Sequence, residues 1–128
     1  MSNSSEVFIP PTAQQPWSQE FIDALSLARH RAVAEMLESD ASILSVARAN
    51  AERWLTLNNY DEGEAYSVRE WLPLLEESRR PELVDALTSE TQNATRMRQS
   101  SPFTGIIPKP AYRMIREKLI QEWSGHAA

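Results

Sequence analysis

Apolar side chains recur every three or four residues in one segment of this chain after another, and nowhere do they alternate over the length of a strand. That period places them on one face of an α-helix and leaves a β-sheet without a half-buried strand to build from. Prolines and capping residues separate the segments. The pattern predicts an all-α fold, a compact bundle of five or six helices behind a disordered or extended N-terminal tail.

The tail is read as residues 1–16 and a single helical domain as 17–128. Pro10, Pro11 and Pro16 punctuate a Ser- and Gln-rich segment, and proline removes backbone donors and disfavours helix just before itself. The first helix is expected from about Trp17 to Glu38, with Phe21, Leu25, Ala28, Ala32 and Met36 inward and Ile22, Arg29 and Val33 widening the stripe. Ser39 or Asp40 can cap the second, about Ala41 to Leu57, whose apolar face carries Leu44, Ala47, Ala51, Trp54 and Leu55. Ser67-Val68-Arg69-Glu70 reads as a capping box opening a third helix, which Pro73 should kink. Arg80-Pro81 restarts a helix, since proline suits the first turn. Ser89 with Gln92 reads as a second capping box, for a helix over about 90–99. Pro110 can open the last helix, and Gly125 should stop it. Trp54 and Trp71, beside leucines, are the expected buried anchors.

Chemistry is more conspicuous by what is missing. There is no cysteine, so disulfides and thiolate ligands are excluded. The three glycines stand apart, so no loop can cradle a phosphate. His30 and His126 lie far apart with no ligand at metal spacing, so neither a metal nor another cofactor is expected. His30 itself reads as a helix-surface or boundary residue. The carboxylate pairs, such as Glu35 with Glu38, sit on solvated faces, where nothing splits their pKa values. These absences argue against an enzyme. No apolar run approaches a membrane span, and no secretion signal is visible, so a cytoplasmic protein is expected.

Charge is distributed unevenly. Residues 1–64 carry four Arg against ten Asp/Glu. Between Arg96 and Lys118, six Lys/Arg face only Glu117. An acidic body with a basic C-terminal zone can meet a partner through either surface, and the basic zone 96–118 could contact nucleic acid.

Two stretches carry a family resemblance. Residues 27–37, Leu-Ala-Arg-His-Arg-Ala-Val-Ala-Glu-Met-Leu, resemble the first helix of small bacterial antitoxin-type proteins of toxin–antitoxin modules. Residues 97–105, Met-Arg-Gln-Ser-Ser-Pro-Phe-Thr-Gly, resemble their C-terminal signature, and Ala47, Asn50, Arg53 and Trp54 between them also fit. The resemblance implies an all-helical, non-catalytic protein that binds a toxin encoded by a neighbouring gene and neutralises it by occlusion. The residues themselves offer two candidate contact regions. One is Val7, Phe8 and Ile9, apolar side chains in the tail with no regular pattern to bury them. The other is Arg96, Arg98, Ser100, Ser101 and Phe103, where arginines adjoin a rigid Ser-Pro-Phe turn. The alternative is a small regulator or adaptor that contacts nucleic acid through 96–118.

Overall fold

A computed structural model of the chain describes residues 18–57 and 68–127, with side chains defined through Leu55 and Thr56 in the first stretch and Trp123 in the second. Five α-helices account for most of these residues: α1 (Gln19–Ser39), α2 (Ser42–Leu57), α3 (Arg80–Thr88), α4 (Gln92–Arg98) and α5 (Lys109–Ala127). No β-strand occurs among the described residues. None of their helices is long and apolar enough to cross a membrane.

Local chemistry sets the helix starts. The Ser18 hydroxyl accepts from the Phe21 amide at 3.2 Å and caps α1, one residue beyond the expected start at Trp17. The Asp40 carboxylate accepts from the Ser42 amide at 3.1 Å, which settles the choice between Ser39 and Asp40. The second predicted capping box is displaced. Thr91 caps α4 by accepting from Ala94, and the Ser89 hydroxyl accepts instead from the Thr91 amide, an Asx-like turn that sets up the true cap. At the far end, Gly125 does not stop α5, which runs to Ala127.

The expected third helix is the main departure. Residues 68–69 are helical, but the chain then tightens into two 3₁₀ turns, Leu72–Leu75 and Glu77–Arg79. Pro73, lacking an amide hydrogen, enters the first turn of 3₁₀ structure instead of kinking an α-helix. Ser67 lies outside the described residues. Its presumed capping partner Glu70 directs its carboxylate to Arg96, with bonds of 2.8 and 3.0 Å.

α1 is the central element and packs against each of the other four helices. Its buried residues include Phe21, Leu25, His30, Val33, Ala34 and Leu37. This face is rotated from the predicted one: Ala28, Ala32 and Met36 are half-buried and Ile22 is exposed. A helix with neighbours on several sides buries a broader arc than a single amphipathic stripe.

The core joins Val33, Leu37, Ala47, Trp71, Leu75, Leu83, Leu87, Met97 and Phe103. Trp71 is fully buried, and its indole Nε1–H donates to the Met97 carbonyl at 2.9 Å. The ring thus brings apolar area to the core without orphaning its one donor. Trp54, the other expected anchor, is 40% exposed. It occupies the edge of the α2 face, where Ala51 and Leu55 are buried in its place.

Candidate functional site

The turn after α4 is built by side chains from both directions along the sequence. Ser101 Oγ accepts from the Phe103 amide at 3.1 Å, which fixes the bend at Pro102. Gly105 takes φ of 81°, a left-handed conformation that a Cβ would strain even though space is open around it. Asn50 of α2 then holds the turn from across the molecule. Its Nδ2 donates to the Pro102 carbonyl at 2.9 Å and the Thr104 carbonyl at 3.3 Å. Phe103 enters the core and meets Trp71 edge-on at 5.7 Å between ring centroids.

His30 completes this aromatic cluster, stacked on Trp71 and edge-on to Phe103, with centroids 6.4 Å away in each case. The expectation of a surface histidine is therefore overturned: the ring is buried. Nδ1 lies 2.6 Å from the Ser26 carbonyl, which can only accept, so the proton sits on Nδ1 and Nε2 is the ring's acceptor. Burial lowers the His30 pKa from 6.5 to about 4. The Ser26 bond opposes that shift, and the charges of Arg29 and Arg98 add to it.

Beside this cluster opens a cleft of about 760 Å³, walled by α1, α2, the 99–107 segment and the start of α5. Arg29, Arg53, Arg98 and Lys109 line it together with Trp54 and Tyr112, and no carboxylate does so among the described residues. The Arg29 guanidinium lies over the Tyr112 ring at 5.6 Å. Arg53 donates to Asn50 Oδ1 at 3.0 Å, joining the cleft wall to the residue that holds the turn. A second cleft, about 370 Å³, lies between α1 and α3, and it balances Arg31 and Arg80 with Glu35 and Glu38.

The predicted contact residues separate into distinct environments. Val7, Phe8 and Ile9 lie outside the described residues. Arg96 is on the outer face of α4, bonded to Glu70 and to Asn93 Oδ1. Arg98, two residues on, is 4% exposed. Its Nη1 donates to the carbonyls of Ala86 at 3.0 Å and Ser89 at 2.7 Å, so it caps the end of α3, where free carbonyls and the helix dipole favour a cation. Desolvation lowers its pKa. Phe103 is core. Arg98, Ser100, Ser101 and Phe103 all border the cleft, and Arg96 is not among its lining residues.

Sequence reasoning left Arg29, His30, Lys109 and Tyr112 out of the site. Asn50, Arg53 and Trp54 did carry a signal, since positions three and four apart share a helix face. What no spacing revealed is that this face looks onto the 99–107 segment.

Comparison with protein-family models, with curated proteins and with solved structures finds no match to this chain.

Proposed function

We propose that this chain is a cytoplasmic, non-catalytic binding protein of bacterial antitoxin type, which neutralises a partner toxin by occluding it. One observation carries the reading. The separate stretches that resemble antitoxin-type proteins meet around a single open cleft, joined by the bonds from Asn50 to the Pro102 and Thr104 carbonyls. At the cleft the His30 imidazole donates its Nδ1 proton to the Ser26 carbonyl, which fixes the ring as part of the wall that a partner would meet.

The nucleic-acid alternative draws less support from the basic zone 96–118 than its charge suggests. Arg96 is bonded to a carboxylate and Arg98 to helix carbonyls, which leaves fewer cations to neutralise phosphates.

The test is co-expression with the product of the adjacent gene. The reading expects that product to arrest growth alone, to be relieved by this chain, and to co-elute with it as a complex. Growth arrest that persists, with no complex formed, overturns it. Binding of the isolated chain to duplex DNA with a steep salt dependence would put the regulator reading in its place.

A further inference from the structure

The cleft combines an excess of one charge with an exposed aromatic edge. Four cationic side chains line it, of which Arg29, Arg53 and Lys109 are offered to a ligand while Arg98 is bonded to the Ala86 and Ser89 carbonyls. Among the described residues none of them forms an ion pair, although Arg31, Arg48, Arg79, Arg80 and Arg96 each find a carboxylate elsewhere on the molecule. Nε of both Arg29 and Arg98 is buried without an acceptor. Like charges gathered on one wall, with no carboxylate lining it among the described residues, give the cleft a positive potential that suits an anionic group.

We propose that the cleft receives an acidic peptide segment of the partner, presenting two or more carboxylates beside an aromatic or aliphatic side chain. This rests on the reading of the chain as a protein-binding module. Guanidinium groups suit carboxylates because their planar fork can donate two parallel bonds. Trp54, 40% exposed at the same cleft, supplies a face for the apolar side chain. Charge balance favours a short segment over a long polyanion. The chain as a whole carries 13 Lys/Arg against 18 Asp/Glu, a net charge of −5, so a long polyanion gains less from it than a short segment whose few carboxylates meet the cleft alone.

The test is to select binders of the full-length protein from a random-peptide display library. Enriched sequences should carry at least two Asp or Glu next to Trp, Phe or Leu. A synthetic peptide from that set should bind the Arg53→Glu, Lys109→Glu double variant about tenfold or more weakly than the parent. The same peptide with Gln and Asn in place of its acids should lose affinity to a similar degree. Arg79→Glu, outside the cleft, should change affinity by less than about twofold, within the range of a distant surface charge. Circular dichroism of the double variant should match the parent, since neither residue is in the core. Enrichment of neutral or basic peptides, no enrichment at all, or acidic peptides that bind the double variant undiminished would overturn the proposal. So would random duplex DNA that binds in the cleft where acidic peptides do not. Failure of toxin neutralisation with successful peptide selection would remove the antitoxin reading and leave the acidic-segment site standing. Neutralisation without acidic-peptide binding would do the reverse.

Discussion

The aromatic cluster and the cleft beside it share the same helices, yet they resolve their polar groups in opposite ways. In the cluster, the Trp71 indole donates to the Met97 carbonyl and the His30 imidazole to the Ser26 carbonyl. At the cleft, Arg29, Arg53 and Lys109 have no carboxylate partner among the described residues, and Trp54 stays partly exposed. Buried polar groups without partners cost stability, so a fold normally satisfies them. The contrast separates a region closed in the folded chain from one that stays open and that we propose binds a partner.

The largest expected effects compare the two tryptophans. Trp71→Ala should cost about 3–5 kcal/mol in urea denaturation, because it empties a fully buried site. Trp54→Ala should cost less than about 1 kcal/mol and weaken partner binding instead. Equal losses of stability at both positions would erase the distinction between cluster and cleft.

Next comes the pH response of the cluster. The unfolded chain protonates His30 near pH 6.5 and the folded chain only near about 4. Its contribution is therefore fully present above about pH 6.5 and lost as pH falls through that window. The loss should reach about 3 kcal/mol by pH 4. Between pH 7 and pH 4 the parent should lose about 3 kcal/mol more stability than His30→Gln in denaturation curves. Parallel curves would place the imidazole in solvent.

The two arginines of α4 sharpen the comparison further. Arg98→Met should cost about 1–3 kcal/mol, since the Ala86 and Ser89 carbonyls lose their donor. Arg96→Met should cost about 1 kcal/mol or less, as expected for an exposed pair with Glu70. A reversed order would mean that the α3 carbonyls find another donor, and that Arg98 is free to serve the partner.

The smallest stability effect is predicted at the cleft itself. Arg53→Glu should shift folding by about 0.5 kcal/mol or less, because among the described residues its guanidinium bonds only to its helix neighbour Asn50. A substantial loss would make Arg53 a structural residue and weaken the case for an open site.

How much of this was legible beforehand follows the range of the interactions. The all-α class, the restart at Arg80-Pro81 and the burial of Trp71 follow from residues within a turn or two of one another. Capping was less legible at Ser89, because Thr91 two residues later offers the same hydroxyl and wins the cap. The candidate site was legible in part. Ser100, Ser101 and Phe103 do border the cleft, whereas Arg96 turns away to Glu70.

By itself, then, the sequence determined which segments coil and where they break, since helical period, proline and capping hydroxyls act within a few residues. Tertiary structure decided which faces close. It buried His30 against Trp71 and Phe103, left Trp54 at an edge, and separated the fates of Arg96 and Arg98. It also brought Asn50 to a turn 52 residues away. These outcomes depend on how one helix is rotated against the next, and a helix with apolar residues on more than one side does not specify that rotation until its neighbours have docked.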